Sequence, residues 1–502
     1  MKILNVMNFV RQCEPRKEGV DHLLFNTTKA ELEIVNEYKI DNTFLLQYDV
    51  LCDEKYIKLF KENATSQTEL GLWYEIVEPL TTACGMPYNS KEGWSWDWHI
   101  IPGFSMGYSV EEREKLIDEA MRKFKEAFGY YPATVGSWLI DTHTINYLVE
   151  HYHIEALCCC RDQVSTDAYT LLGGYFNQAY YPSKNNVFTP AQTQECRINV
   201  PMFRLLGPSP IQNYDNKKYL SETSRKIGGC WTMELFWYSG YTPEIVDWFF
   251  ESYYKNEDLG FSYCQIGQEN SFGASRDLSK ALRMQLDKAV ALDGVTFQKM
   301  KDTGKWFKET YKDKTPATSV AALRNWDTVD AQSVYYDCQN YTANIFRHNN
   351  QIFIRALYLF DERVKDRYLT EKCTRFDALY TNLPIVDTVL ATPEKKEDIG
   401  LLLDGDATAF TAEKTAEGVL AVKWGDKSVI FSEEGITVCG VDTLTWFKES
   451  LQGEVSLQDG VFRFCYEGNA YSFVCEGGIV KETEDAYVIE KDGKDIAFSF
   501  IR

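Results

Sequence analysis

Acidic side chains recur in the first 300 residues at the points where short apolar segments end. Asp141 follows the segment ATVGSWLI, and Glu269 follows GFSYCQIGQ. Comparable positions are held by Glu14, Asp49, Glu75, Asp162 and Glu234. Two carboxyl groups that flank a glycosidic bond can cleave it, one protonated as the acid and the other ionised as nucleophile or base. Carboxylates gathered at one end of a sheet would therefore supply hydrolytic chemistry.

Basic and aromatic side chains accompany these carboxylates. Arg11, Arg161 and His143 stand near predicted strand ends, where they could set the pKa of a carboxyl group or bind a hydroxyl. The loop between residues 77 and 109 is dense in tryptophan, and flat rings of this kind can stack on sugars. We expect these side chains to bind substrate: Trp73, Trp96, Trp98, His99, Trp138, His143, Arg161, Asp162 and Gln268. A lid packed on the rim of the fold is an equal alternative for the loop.

The stretch 128–163 predicts how such residues are positioned. A helix that ends at Gly129 is followed by a strand (133–138), a helix (141–152) and a second strand (155–160). A crossover of this kind forces its two strands to run parallel. The carboxyl ends of parallel strands are where barrels and open sheets hold their active sites. Asp141 opens the helix and would cap it well, which is its structural alternative.

Similar strand and helix steps predict an α/β barrel over residues 1–315. Further strands are predicted at 3–10, 43–48, 69–76, 229–235 and 260–266. This count favours a (β/α)7, distorted TIM-like barrel. After residue 316 the pattern changes to alternating segments joined by Asp-Gly, Gly-Asp and Glu-Gly turns, which is typical of hairpins. We therefore predict an all-β sandwich domain over residues 316–502.

The segments ATVGSWLIDTHTINYL and VTFQKMKDTGKWFKETY, in a barrel of this order, resemble the glycoside hydrolase/deacetylase superfamily. The superfamily includes polysaccharide deacetylases and glycoside hydrolases of families 38 and 57, and the likeness covers residues 1–311. Within it, the chain looks closest to uncharacterised bacterial proteins. In family 57 the nucleophile lies on the fourth strand and the acid on the seventh. The resemblance thus implies Asp141 and Glu269 as the catalytic pair, with roles that could be exchanged, and Asp49 and Glu234 as reserves.

The sequence departs from the metal-binding pattern of the deacetylases in this superfamily. Their paired aspartates after strand one and their His-x-x-x-His pair after strand three are absent from NFVRQCEPR and LWYEIVE. We therefore expect no metal and no other cofactor. A zinc site built from Asp49, Asp97 and His99 is the minority alternative. Metal-dependent deacetylation, and a non-catalytic barrel that binds glycan or a protein partner, remain the rival functions.

Composition also limits the classes of partner that the protein could bind. A formal net charge of −21 would repel phosphate backbones and anionic membranes, so we expect no nucleic acid. No apolar run reaches the roughly 20 residues that a membrane span needs. The N-terminal segment does not look like a signal peptide, which favours the cytoplasm. The consecutive Cys158, Cys159 and Cys160 are expected in the core, and a homo-oligomer is compatible with the sequence.

Overall fold

The computed structural model of the protein describes residues 1–164, 169–206, 209–211, 235, 243–255, 259–326, 329–388 and 400–501. The strands of its N-terminal half are β1 (Lys2–Val10), β2 (Asn42–Leu46), β3 (Thr68–Trp73), β4 (Thr134–Gly136), β5 (Ala156–Cys159), β6 (Gln163–Val164), β7 (Tyr169–Leu171), β8 (Ala179–Tyr180), β9 (Met202–Arg204), β10 (Ser262–Glu269) and β11 (Val295–Phe297). The helices are α1 (Asp21–Tyr38), α2 (Tyr48–Leu51), α3 (Glu54–Asn63), α4 (Glu78–Ala83), α5 (Ile100–Gly103), α6 (Val110–Phe128), α7 (Thr142–His151), α8 (Pro243–Tyr254), α9 (Asn270–Arg276), α10 (Ser279–Val290) and α11 (Met300–Thr310).

The strands and helices of this half form the predicted barrel. Within the described residues, seven parallel strands lie in the order β10-β1-β2-β3-β4-β5-β9. Helices cover the outside of the sheet, so strands such as β1 are buried on both faces and consist mainly of apolar residues. The three adjacent cysteines are fully buried at β5, which confirms their place in the core.

One described parallel strand of the barrel was not predicted. It is β9, whose three residues are too few to show the alternation that marks a strand in sequence. The predicted strand at 229–235, which includes Glu234, lies outside the described residues apart from its last position.

The C-terminal half is antiparallel and forms two large sheets. Its strands are β12 (Thr318–Ala322), β13 (Ala331–Asp337), β14 (Tyr341–His348), β15 (Gln351–Leu359), β16 (Ala378–Leu379), β17 (Leu383–Asp387), β18 (Leu401–Asp404), β19 (Thr411–Ala416), β20 (Val419–Trp424), β21 (Lys427–Ser432), β22 (Gly435–Cys439), β23 (Thr443–Phe447), β24 (Glu454–Gln458), β25 (Val461–Tyr466), β26 (Asn469–Glu476), β27 (Gly478–Glu482), β28 (Ala486–Lys491) and β29 (Ile496–Ile501). One sheet has the order β12-β13-β14-β15-β18-β23-β28-β27, and the other β19-β20-β21-β22-β29-β26-β25-β24. Apolar side chains of both sheets share one core, as in a β-sandwich. The predicted fold class is confirmed.

Residues 361–380, which we call the strap, leave the sandwich and return to the barrel. Its strand β16 pairs in parallel with β7, and the backbone N–H of Cys373 donates to Met106 O at 2.7 Å. The Arg113 guanidinium donates to Tyr368 O and Glu371 O, each at 2.6 Å. The division into domains at residue 315 stays a prediction.

No helix in the described part of the chain is long and apolar enough to cross a membrane. The cytoplasmic location and the homo-oligomer stay predictions.

Candidate active site

Three strands that are distant in sequence bring polar groups to one end of the barrel. Strands β1 and β10 lie side by side in parallel, with Phe9 in register with Glu269. Their close approach depends on Gly267, which has φ +144°, because a Cβ there would lie 1.6 Å from Met7 O. The chain leaving β1 supplies Arg11, and the chain leaving β3 supplies Glu75.

An aromatic floor lies beneath these groups inside the barrel. The Phe9 ring centroid is 4.4 Å from that of Trp73 and 5.5 Å from that of Trp138, and the two indoles meet edge to face at 5.3 Å. The floor is apolar and excludes water, so charges placed on it interact more strongly than they would in solvent.

Arg11 is the centre of the site and is 1% exposed. Its Nη2 donates to Glu269 Oε1 at 2.9 Å and lies 3.7 Å from Glu75 Oε2, while its Nη1 lies 3.7 Å from Glu14 Oε2. The backbone of Arg11 is bound on both sides by the amide of Asn270, at 3.2 and 2.9 Å. Three carboxylates therefore surround one guanidinium that the neighbouring strand holds in place.

The three carboxyl groups differ in their surroundings. Burial raises the pKa of Glu75 to about 7, against the opposing effect of Arg11, and the nearby Glu269 adds to the rise. For Glu14, burial also opposes the charged form, but Arg16 donates to both carboxylate oxygens and lowers the pKa to about 2. Glu75 thus keeps its proton to a much higher pH than Glu14 does.

Two indole N–H groups orient the carboxyl groups of Glu75 and Glu269. Trp96 Nε1 donates to Glu75 Oε2 at 2.8 Å, and Trp138 Nε1 donates to Glu269 Oε1 at 3.0 Å. Trp96 also covers the site, because the Arg11 guanidinium lies 4.0 Å and that of Arg16 4.7 Å from its ring centroid. The loop that the sequence singled out for its tryptophans therefore reaches the carboxylates.

Several buried polar atoms at this end of the barrel have no hydrogen-bond partner among the described residues. They are Glu75 Oε1, Gln47 Oε1, Trp73 Nε1 and Ser137 Oγ, and they belong to residues at or just beyond the ends of β2, β3 and β4. Buried polar groups are normally paired, and each unpaired group costs about 1–3 kcal/mol. Their gathering at the strand ends is typical of a site that binds a polar ligand.

Asp141 caps a helix, which is the structural alternative to a catalytic role at its position. Its carboxylate caps α7 through the backbone N–H of Thr144 at 3.0 Å, and it accepts from Arg113 Nη1 at 2.9 Å and from Ser105 Oγ at 2.5 Å. No direct contact with Glu269 occurs in the described structure. Its catalytic role stays a prediction without geometric support, because both oxygens accept hydrogen bonds from Arg113, Ser105 and Thr144.

Asp49 lies close to the site but binds backbone. Its oxygens accept from the N–H groups of Gln12 at 3.0 Å and Val50 at 2.7 Å, and burial raises its pKa to about 6. It therefore fixes the loop that carries Arg11. The other reserve, Glu234, is outside the described residues.

The expected substrate-binding residues divide into two groups. Trp73, Trp96, Trp98, His99 and Trp138 lie in the site or in its roof. The others lie apart: His143 contacts Glu114 at 3.0 Å, Asp162 pairs with Arg204 at 3.1 Å, and Gln268 donates to Glu31 of α1. Arg161 is buried beyond β5. Gln268 lies apart from the site because side chains alternate along a strand and its neighbour Glu269 points into the barrel.

Arg16 was not expected as a site residue. Its only sequence signal is its place in the segment after β1, together with Arg11 and Glu14. The structure adds it because its guanidinium, 3.8 Å from Glu269 Oε2, closes the outer side of the cluster.

Among solved structures, the chain is similar to a candidate glycoside hydrolase/deacetylase from Parabacteroides distasonis. The identity is 13% and the TM-score 0.51, over 75% of this chain and 87% of that one. The two proteins share a fold. The resemblance read from the sequence is thereby confirmed at the level of the barrel.

Two other solved structures are more distant. A candidate polysaccharide deacetylase from Mycobacterium smegmatis has 10% identity and a TM-score of 0.39, over 62% of this chain and 91% of that one. The 4-α-glucanotransferase from Thermococcus litoralis has 9% identity and a TM-score of 0.30, over 99% of each chain. No family model and no curated protein matched the sequence.

The residues at the strand ends do not fit a divalent metal. The gaps between Glu14, Glu75 and Glu269 are filled by the guanidinium groups of Arg11 and Arg16, which a cation would have to displace. The minority zinc set is also not assembled. Asp97 and His99 contact each other at 2.6 Å, but the second Asp97 oxygen is bound by Ser90 and by the backbone of Lys91. Asp49 is bound to backbone elsewhere.

Proposed function

We propose that the protein hydrolyses a glycosidic bond, with Glu75 as the acid and Glu269 as the nucleophile. The observation that carries this assignment is that both carboxyl groups approach the same Arg11 nitrogen while Glu75 has a pKa of about 7. One carboxyl group can therefore hold a proton near neutral pH beside another that is paired with Arg11, which fits the acid and the nucleophile of a glycosidase. We propose this pair in place of Asp141 and Glu269, the pair that the resemblance implied.

The separation of the two groups supports a retaining reaction. Glu75 Oε2 and Glu269 Oε1 lie 3.7 and 2.9 Å from one nitrogen, so these oxygens are at most about 6.6 Å apart. Retaining enzymes hold their carboxyl groups about 5–5.5 Å apart, whereas inverting enzymes need about 6.5–9.5 Å to admit a water. Glu75 would protonate the leaving oxygen while Glu269 attacks the anomeric carbon, and Glu75 would then deprotonate the water that releases the sugar.

Substrate would enter past Arg16. The two carboxyl groups are only 1% and 2% exposed, whereas the Arg16 side chain is 23% exposed and lies over Trp96 and Trp98. Movement of Arg16 would open the polar end of the barrel. The sugar hydroxyls would then meet the unpaired atoms of Gln47, Ser137 and Glu75.

The assignment is tested with Glu75→Gln and Glu269→Gln on a panel of aryl glycosides. Each change should lower kcat at least a hundredfold, since general acid catalysis alone contributes about 10²–10⁴. The matched control is Glu119→Gln, a carboxylate on the exterior that binds Tyr48 and Arg122. Product analysis by proton NMR should show retained anomeric configuration. Turnover that survives both substitutions would refute the pair.

A metal-dependent deacetylase would behave differently in the same assays. It would release acetate from N-acetylated sugars and lose activity on chelation, and it would contain stoichiometric metal. Any of these results would overturn the proposed reaction. Retained glycan binding without turnover on a broad panel would instead favour a non-catalytic barrel.

A further inference from the structure

A chain of aromatic rings leads outward from the carboxylates to the surface. Trp96, which donates to Glu75, is 6.1 Å by ring centroid from Trp98. Trp98 packs against Trp94 at 4.8 Å and stacks on His99 at 5.1 Å with an interplanar angle of 25°. Exposure increases along this chain, from the buried Trp96 to the half-buried Trp98 and His99. The rings thus connect the buried site to solvent.

The outermost ring comes from the strap and not from the barrel. Phe376 meets His99 edge to face at 5.6 Å, and it is one of the few large apolar side chains left exposed, at 39%. Its backbone is fixed beside the chain of rings, because Ile100 N–H donates to Phe376 O at 3.0 Å. An exposed ring that is held this firmly next to a predicted active site is a candidate contact for ligand.

We propose that Trp94, His99 and Phe376 form an outer subsite for a neutral glycan chain, so that the substrate is an oligosaccharide or polysaccharide and not a small glycoside. This inference rests on the proposed function and specifies its substrate. Flat rings bind the apolar faces of sugars, and Trp94, His99 and Phe376 are members of this chain of rings that reach solvent. The three steps put Phe376 within about 17 Å of Trp96, outside the buried carboxylates.

The charges around the chain of rings favour a neutral occupant. A polyanionic glycan would approach a protein of formal net charge −21, which repels it. The cations near Phe376 do not offset this negative charge. Arg375 is paired with Asp377 at 2.7 Å, and Lys91 lies 5.9 Å from the ring centroid.

The test measures binding separately from turnover. Glu269→Gln protein is run through native gels that contain glycogen, xylan or glycol chitin, with polygalacturonate as the anionic comparison. We expect retardation by one of the neutral polymers and none by polygalacturonate. Adding Phe376→Ala should weaken the retardation by about threefold to tenfold, as expected for loss of one stacking contact. Phe376→Trp should preserve it.

The matched control is Tyr130→Ala, which removes a ring that is 48% exposed and precedes β4 at the opposite end of the barrel. It should not change binding. In active protein, Phe376→Ala should lower kcat/KM on hexasaccharides of the bound polymer while leaving an aryl monoglycoside unchanged. Equal loss on both substrates would overturn the subsite.

The outcomes separate the two proposals. Glycan binding and cleavage that are insensitive to Phe376 would refute the outer subsite alone. Glycan binding that depends on Phe376, without cleavage by the wild-type protein, would support the subsite and refute the hydrolase. Failure of every neutral polymer to retard the protein would refute the outer subsite, and the aryl-glycoside assay would then decide the hydrolase by itself.

Discussion

Removing Arg11 tests the central electrostatic claim about the site. Arg11→Met deletes the cation between three carboxylates but keeps an unbranched apolar side chain in its place. Glu269 would lose a 2.9 Å ion pair, and Glu75 and Glu14 would each lose a contact at 3.7 Å. Breaking a buried pair by removing one partner costs about 3–5 kcal/mol. Loss of the contact with Trp96 adds about 1 kcal/mol, so we expect the free energy of unfolding at pH 7 to fall by about 5 kcal/mol.

The cost of Arg11→Met should depend on pH in a defined direction. Arg11 lowers the pKa of Glu75, so without it the pKa should move further above 7. A carboxyl group with a raised folded pKa contributes stability that is complete below its unfolded value, near 4.5, and is lost as pH rises through the folded pKa. The variant should therefore be closest to wild type at pH 5 and furthest from it at pH 8.

The measurement is urea unfolding followed by tryptophan fluorescence at pH 5 and pH 8. The double variant Arg11→Met/Glu269→Gln should recover part of the loss, because no charged Glu269 is then left unpaired. Arg324→Met is the control, since this exposed arginine pairs with Glu251 at the surface and should cost less than about 1 kcal/mol. A loss below about 1 kcal/mol for Arg11→Met, or strict additivity in the double variant, would refute the cluster as described.

Other changes distinguish chemistry from stability. In a pH profile of kcat/KM, the rate should fall above about pH 7 as Glu75 loses its proton, and a flat profile to pH 9 would contradict its role as acid. Asp141→Asn should lower the free energy of unfolding by about 3 kcal/mol in calorimetry, because Arg113 loses its buried partner, yet leave kcat within about twofold. Gly267→Ala should prevent soluble expression or reduce Tm sharply, since its Cβ would overlap Met7 O; a Tm equal to wild type would exclude this packing. Burial raises the pKa of Asp337 to about 7, so Asp337→Asn should reduce the decline of Tm between pH 5 and pH 8, and an unchanged decline would contradict that shift.

Patterns that act within a few residues were readable from the sequence. The β-α-β unit is present as β4, α7 and β5, and Asp141 caps its helix as the position allowed. The change from parallel to antiparallel structure falls between α11 and β12. These features follow from hydrophobic period, capping and turn chemistry, which depend on neighbours along the chain. The strand β9 was not predicted because its three residues are too few to show the alternation that marks a strand.

The sequence also placed carboxylates at strand ends, and Glu14, Glu75 and Glu269 were among them. The residues alone did not rank them, because each has the same local appearance as Asp141 or Asp49, and the preference for Asp141 and Glu269 came from the resemblance. The ranking depends on partners from remote segments. Arg113 on α6 and Ser105 bind Asp141, while backbone N–H groups bind Asp49.

The order of the strands in the sheet selects the site. It puts β1 beside β10, so that Arg11 reaches Glu269 across 258 positions of sequence. The same arrangement buries Glu75 next to an aromatic floor and raises its pKa to about 7, a value that no local pattern encodes. The sequence by itself determined which residue types stand at the end of each strand. Only the tertiary structure decided which of them share one guanidinium, because desolvation and ion pairing depend on distance in space.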